Sequence, residues 1–147
     1  MAGEAVPFPF YMVPFYKALL IDDDPTANFL NEIWVRRTAL AEGVITFVDP
    51  EAALDFCEKN IVVMQHESSL PILLLLDINM PTINGFEFLD KLCQQMNVEA
   101  LGLTIFMLSS SFAQKDIEKA GHYPIAGYLE KPLSYENVDR ITQRLAG

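Results

Sequence analysis

Five polar residues directly follow apolar segments of this sequence, and their types suit cation and phosphoryl chemistry. They are Asp22, Asp23, Asp77, Ser109 and Lys131. Carboxylates brought close together repel one another unless a cation neutralises them, and an all-oxygen site with few protein ligands suits Mg²⁺. A lysine and a serine hydroxyl suit phosphoryl oxygens. The set predicts a site where an aspartate accepts a phosphoryl group while a metal ion and a lysine absorb negative charge.

The segment from Leu70 to Gly85 is the centre of this arrangement. Its apolar run LPILLLL ends at Asp77, and a proline turn and a glycine follow. Such a run is typical of a parallel strand that helices cover on both faces. A strand of this kind presents a carboxylate only at its end, which is the edge where ligands of open α/β sheets bind. Asp77 is therefore placed for chemistry.

The three consecutive aspartates at 22–24 have two interpretations. Asp24 precedes Pro25 and Thr26, which is the pattern of a helix cap. Asp22 and Asp23 then have no capping role, so they form either a solvated acidic loop or part of a cation site.

Five strand–helix repeats are predicted along the chain. The strands cover 17–21, 44–48, 71–77, 101–108 and 125–129, and helices follow each of them. The apolar face of the first helix is assigned to Ala27, Leu30, Ile33, Trp34 and Arg37. This alternation implies an α/β fold with a parallel sheet, helices on both faces and right-handed crossovers.

Length and charge narrow the possible functions. A chain of 147 residues predicts one domain, and the net charge of −10 argues against direct contact with nucleic acid or an anionic membrane. No apolar run approaches the ~20 residues of a membrane span, and the N-terminus lacks the basic segment of a signal peptide. We therefore expect a cytoplasmic protein.

Residues 1–16 (MAGEAVPFPFYMVPFY) differ from the rest, because prolines alternate with aromatic residues. Proline opposes a regular helix or central strand, so the domain division is an extended arm at 1–16 and a folded domain at 17–147. The arm is either a tail, or a start assigned too early upstream of Met12, or an aromatic segment that packs on its own domain or on a partner.

Four motifs together resemble the receiver domain of two-component response regulators. They are LLIDDD, LLLLDINMPTINGFEFL, IFMLSSS and GYLEKP, and the resemblance covers roughly residues 17–146. It implies a flavodoxin-like (βα)5 three-layer sandwich with sheet order 2-1-3-4-5. It also implies Mg²⁺-dependent transfer of phosphate from a kinase phosphohistidine to Asp77.

The resemblance further implies a role for each site residue. Asp22, Asp23, Asp77 and the backbone carbonyl of Asn79 would hold Mg²⁺. Lys131 would contact the phosphoryl group, Ser109 would bind one of its oxygens, and Tyr128 would be the coupled aromatic switch. The peptide bond between Lys131 and Pro132 would be cis.

The resemblance implies a signalling module rather than an enzyme, acting only on its own phosphorylation and autodephosphorylation. Its expected partners are a sensor histidine kinase or a histidine phosphotransfer protein, together with an unidentified downstream protein. The expected state is a monomer or a phosphorylation-dependent dimer. The switched surface is expected on the fourth helix, fifth strand and fifth helix, with Phe112, Ile117, Tyr128 and Tyr135 as candidate residues.

Two alternatives remain beside this expectation. Aspartyl-phosphate hydrolases of the haloacid dehalogenase type also use Mg²⁺ and an aspartate, but their nucleophile follows the first strand in a DxD motif, usually with a cap domain. The second alternative is a degenerate receiver that acts without phosphate. A dinucleotide-binding dehydrogenase is disfavoured, because no glycine-rich turn follows the first strand.

Overall fold

The computed structural model describes residues 13–110 and 112–146, in which five strands alternate with five helices. Strands β1 to β5 span Phe15–Ile21, Ala41–Phe47, Ile72–Asp77, Leu103–Ser109 and Gly127–Glu130. Helices α1 to α5 span Pro25–Arg37, Pro50–Glu67, Gly85–Gln95, Gln114–Ala120 and Tyr135–Ala146. Among these residues, no helix combines the length and apolar character that crossing a bilayer requires.

The strands form one parallel sheet in the order β2-β1-β3-β4-β5, which confirms the predicted flavodoxin-like topology. β1 therefore lies beside β3, and the chain reverses its direction of winding between them. Ile21 is paired with Leu76 across these two strands. Since the next residues along the two strands are Asp22 and Asp77, the register alone brings these carboxylates to one edge of the sheet.

The sheet is the middle of three layers, and its side chains alternate between two cores. Leu74 and Leu76 pack into the cluster that includes residues of α2, α3 and α4. Leu73 and Leu75 pack into the cluster that includes residues of α1 and α5. β3 is buried along its whole length, as its continuous apolar sequence predicts.

Side chains at the helix starts fix where the chain leaves the sheet. Asp24 Oδ1 accepts a hydrogen bond from the Thr26 backbone N at 3.0 Å, which confirms the predicted cap of α1. Asn84 and Glu87 form a reciprocal capping box at the start of α3. Ser134 Oγ accepts from the Asn137 backbone N at 3.3 Å at the start of α5.

β1 begins two residues before the predicted strand. The backbone N of Phe15 donates to Leu40 O at 3.1 Å, and that of Tyr16 donates to Pro71 O at 2.9 Å. Phe15 is fully buried in the core. The end of the predicted arm therefore belongs to the folded domain, and residues 1–12 lie outside the described residues.

The predicted apolar face of α1 is correct at Trp34, which is partly buried against the core, but wrong at Leu30 and Ile33. Leu30 is 48% exposed and Ile33 is also exposed, whereas Asn28, Asn31 and Val35 are buried. The cause lies outside the helix, because backbone carbonyls of the neighbouring strand ends provide partners for Asn28. A hydrophobicity pattern read along one helix does not contain that information.

Candidate functional site

The candidate site lies at the carboxyl edge of the sheet, where four strands end in polar residues. Asp22 follows β1, Asp77 ends β3, Ser109 ends β4 and Lys131 follows β5. The Lys131 backbone N donates to Ser109 O at 2.7 Å, which holds the end of β5 against β4. The peptide bond between Lys131 and Pro132 is cis, as expected.

Three carboxylates converge at this edge. Asp22, Asp23 and Asp77 each offer an oxygen, and these oxygens lie within 4.8 Å of one another. Asp22 and Asp77 are only 3% and 4% exposed, whereas Asp23 is exposed. The cluster thus has two buried walls and one side open to solvent, which suits a hard cation that keeps some of its water.

Lys131 bridges two of these carboxylates. Its Nζ lies 2.7 Å from Asp22 Oδ2 and 3.0 Å from Asp77 Oδ1. Burial alone lowers the pKa of Lys131, but its hydrogen bonds to the two aspartates outweigh burial and raise the pKa. Lys131 is therefore a fixed positive charge beside Asp77, and one lysine leaves part of the negative charge of three aspartates unbalanced.

Asp77 carries the most perturbed carboxyl group of the site. Burial raises its pKa from 3.8 to about 6, and the charge of Asp22 adds to that rise. Lys131 and the Asn79 backbone N oppose the rise by hydrogen bonding to Asp77. Because about 6 is below neutral pH, Asp77 is mainly ionised at pH 7, as a nucleophile must be.

The loop after β3 is built tightly against Asp77. Gly85 N donates to Ile78 O at 2.8 Å. A Cβ at Gly85 would lie 2.8 Å from Asp77 O, closer than side chains approach backbone atoms. The glycine therefore lets α3 start directly against the strand end that carries Asp77. Asn79 is exposed within this loop.

One residue of the site region, Asn28 on α1, was not predicted from the sequence. Its Nδ2 donates to Asp22 O and to Phe47 O, both at 3.0 Å. The only sequence signal is a polar residue one turn inside an amphipathic helix, and that signal does not separate a surface position from a buried one.

Ser109 ends β4, and Tyr128 lies on the neighbouring strand β5. Ser109 is fully buried, and Tyr128 is 9% exposed. Burial raises the pKa of the Tyr128 phenol, whereas its hydrogen bond with Ser109 lowers it. Phe112 packs edge-on against the Tyr128 ring with centroids 5.1 Å apart.

The structure therefore gathers Asp22, Asp23, Asp77 and Lys131 into one cluster, and it pairs Ser109 with Tyr128 on the two neighbouring strands. The converging ligand atoms are carboxylate oxygens, and hard oxygen ligands of this kind suit Mg²⁺. The same cluster has a lysine positioned to meet an anion.

A protein-family model and a solved structure each match most of this chain. The family model of the response regulator receiver domain matches residues 18–145. A crystal structure of a two-component response regulator from Cytophaga hutchinsonii is 29% identical, has a TM-score of 0.76, and the match covers 90% of this chain and 98% of that chain.

Two curated relatives are regulators by name. The "Probable methanogenesis regulatory protein FilR2" of Methanothrix harundinacea is 27% identical over 135 residues, covering 90% of this chain and 81% of the relative. The "Probable C4-dicarboxylate response regulator DctR" of Halalkalibacterium halodurans is 26% identical over 125 residues, covering 85% of this chain. The match spans 49% of that second regulator, so the chain corresponds to about half of its length.

Proposed function

This chain belongs to the response regulator receiver domain family, whose members act in two-component signalling, and from that membership we propose that Asp77 accepts a phosphoryl group with the help of Mg²⁺. The single observation that carries this proposal is the position of Lys131. Its Nζ contacts both Asp77 and Asp22, so a cation already balances part of the charge at the proposed acceptor. A purely solvated acidic loop has no need of such a bridge.

The proposed reaction is a transfer between a phosphohistidine and the Asp77 carboxylate. A carboxylate oxygen of Asp77 attacks phosphorus, forming a new P–O bond, while the P–N bond to the histidine breaks. The electron pair of the P–N bond remains on the imidazole nitrogen. Lys131 leaves Asp22 and stabilises the negative charge on the transferred group, and the product is an aspartyl phosphate.

Asp22, Asp23 and Asp77 are the proposed side-chain ligands of Mg²⁺, and the backbone carbonyl of Asn79 is the proposed fourth protein ligand. When bound, Mg²⁺ would supply positive charge that offsets the negative charge of the phosphoryl oxygens. The exposed side of the cluster at Asp23 is where the ion and the phosphoryl donor would enter.

We propose Ser109 and Tyr128 as the elements that transmit the modification. The Ser109 hydroxyl can bind a phosphoryl oxygen on Asp77, which would change its hydrogen bond with Tyr128. Tyr128 contacts Phe112, which is exposed just before α4, so the change would reach the surface at the start of α4. The proposed upstream partner is a histidine kinase or phosphotransfer protein, and the downstream partner is a protein that reads this surface.

The hydrolase alternative requires a nucleophile in the acidic motif after β1. Asp22 is poorly suited to that role, because Asp24 N donates to its Oδ1 and Lys131 donates to its Oδ2. Asp23 and Asp24 are exposed, and the side chain of Asp24 is engaged as the cap of α1. We therefore favour Asp77 as the acceptor.

The proposal is tested by intact-mass measurement after incubation with acetyl phosphate. We expect one phosphoryl adduct that requires Mg²⁺ and is absent from Asp77→Asn. Ser110→Ala, at an exposed neighbouring serine, is the matched control and should be phosphorylated like the parent protein. An adduct of equal yield in Asp77→Asn would contradict the assignment. No adduct in the parent protein, with Mg²⁺ binding verified by calorimetry, would contradict transfer from a small donor and would favour the degenerate alternative.

A further inference from the structure

Asn28 is a buried polar residue that the proposed reaction does not use. It lies in the first turns of α1 and is 3% exposed. Both hydrogens of its side-chain amide can be assigned to backbone acceptors, Asp22 O and Phe47 O. Its Oδ1, by contrast, is buried and has no hydrogen-bond partner in the described part of the chain. Burying an unpartnered oxygen is unfavourable, so the contribution of this side chain lies in its two donated bonds.

These bonds complete a node that joins three elements. Phe47 O, at the end of β2, accepts from the Asp22 backbone N at 3.1 Å and from Asn28 Nδ2 at 3.0 Å. Asn28 Nδ2 also donates to Asp22 O. The backbone of Asp22 is thus held at its N–H and at its C=O, by β2 and α1 respectively.

The helix itself does not require this side chain. The Asn28 backbone N already donates to Asp24 O at 3.2 Å within the first turn. The contact of α1 with the sheet comes from other residues, of which Val35 is fully buried in the core. One side-chain bond of Asn28 therefore acts on the loop after β1, and the other acts on the end of β2.

We propose that Asn28 is a positioning residue for the cation site, an inference that rests on the proposed function. The carbonyl that it holds belongs to the peptide group linking Asp22 to Asp23. Fixing that peptide fixes the direction in which the Asp23 side chain leaves the loop. Three carboxylates within 4.8 Å repel one another, and the node keeps them together before a cation arrives.

The test is a calorimetric Mg²⁺ titration of the full chain at pH 8, with thermal unfolding measured in parallel. Asn28→Ala should weaken Mg²⁺ binding about 10-fold, the lower end of what loss of an outer-shell contact costs a metal site. Asn28→Ser, which keeps one donor, should lose less. Asn31→Ala is the matched control, because Asn31 is buried on the same helix and should change the Mg²⁺ dissociation constant less than about 2-fold.

The outcomes separate positioning from general stabilisation. If Asn28→Ala folds and its Mg²⁺ dissociation constant is unchanged, the inference is overturned. It is also overturned if Asn31→Ala weakens Mg²⁺ binding as much as Asn28→Ala does. Failure of both Asn28 variants to fold would also overturn it, because the residue would then determine the fold itself. If the parent protein does not bind Mg²⁺, the proposed function fails as well, which distinguishes that result from a failure of Asn28 alone.

Discussion

At Asp77, burial and a neighbouring carboxylate oppose the charge that a nucleophile needs, and Lys131 offsets part of that cost. The resulting pKa of about 6 lies close to neutral pH, so the charge of Asp77 responds to small changes nearby. Reactive groups commonly occupy such environments, because the field that shifts the pKa also acts on the reaction. Changes of pH and removal of charged groups near Asp77 should therefore alter the stability of the protein and its phosphorylation.

Asp77→Asn should raise the free energy of unfolding at pH 8, by roughly 1–3 kcal/mol without Mg²⁺. The folded-state pKa of Asp77 lies above its ordinary value of 3.8, so the folded protein holds this proton more tightly than the unfolded chain. Stability from this group is fully present below pH 3.8 and is lost as pH rises through about 6. Asparagine cannot ionise, so it avoids that loss.

Urea denaturation of both proteins at pH 5 and pH 8 measures the effect. The stabilisation by Asp77→Asn should be larger at pH 8 than at pH 5. A variant that is equally stable or less stable at pH 8 would show that the Asp77 carboxylate is not held at an energetic cost.

Lys131→Ala should separate metal binding from phosphoryl transfer at pH 8. Its ammonium is paired with Asp22 and Asp77, whose oxygens are proposed Mg²⁺ ligands. Removing the ammonium should therefore leave the Mg²⁺ affinity equal or raise it. The rate of phosphorylation by acetyl phosphate should fall about 100-fold, as when a charge-stabilising donor is removed from a reaction site. Lys91→Ala, which removes an equal charge from the exposed face of α3, is the control. Parallel loss of Mg²⁺ binding and rate in Lys131→Ala would refute this division of roles.

At the scale of elements, the junction between β3 and α3 is the most constrained part of the site. Gly85→Ala should lower the free energy of unfolding by about 1–3 kcal/mol and slow phosphorylation, because backbone atoms have to move. The new Cβ would lie 2.8 Å from Asp77 O and 3.0 Å from Ile78 Cα. Urea denaturation and intact-mass time courses measure the two effects.

Gly121→Ala provides the comparison for that variant. Gly121 ends α4 with a φ of −64°, which alanine adopts without strain, and its nearest new contact is Glu118 O at 3.3 Å. We expect a change of less than about 1 kcal/mol and a normal phosphorylation rate. Equal behaviour of the two variants would mean that the junction at Gly85 tolerates a side chain.

The elements also show where sequence reasoning stops. The apolar run of β3 was sufficient to predict a strand buried on both faces. When helices cover both faces of a sheet, no side chain of such a strand faces solvent, so all of them are apolar. The buried face of α1 was not predictable in this way. Asn28 is buried because Phe47, 19 residues later in the chain, brings a carbonyl to it. A partner supplied by tertiary structure does not appear in the periodicity of the helix.

In the whole molecule, the three converging carboxylates belong to a chain whose net charge is −10. Mg²⁺ should therefore raise the melting temperature, and at ten times its dissociation constant it should add about 1.4 kcal/mol of stability. Differential scanning calorimetry at constant ionic strength separates site binding from screening. Asp23→Asn should lose most of the Mg²⁺ effect, and a full effect in that variant would place the ion elsewhere.

The composition of the site was predictable from the sequence because parallel strands deliver their carboxyl ends to one edge. The residue types alone did not predict which side chains of the site contact one another. The contact between Lys131 and Asp22 joins positions 109 residues apart and depends on strand order, which the motifs suggested through resemblance. The distances that make Lys131 a bridge between two aspartates follow only from the folded chain.

The central claim is that Asp77 itself carries the phosphoryl group. Sodium borohydride reduces an aspartyl phosphate to homoserine, so treatment after reaction with acetyl phosphate and Mg²⁺ marks the modified residue for peptide sequencing by tandem mass spectrometry. We predict homoserine at position 77 and unmodified aspartate at positions 22, 23 and 24. Homoserine at any of those three positions, with aspartate retained at 77, would contradict this account of the site.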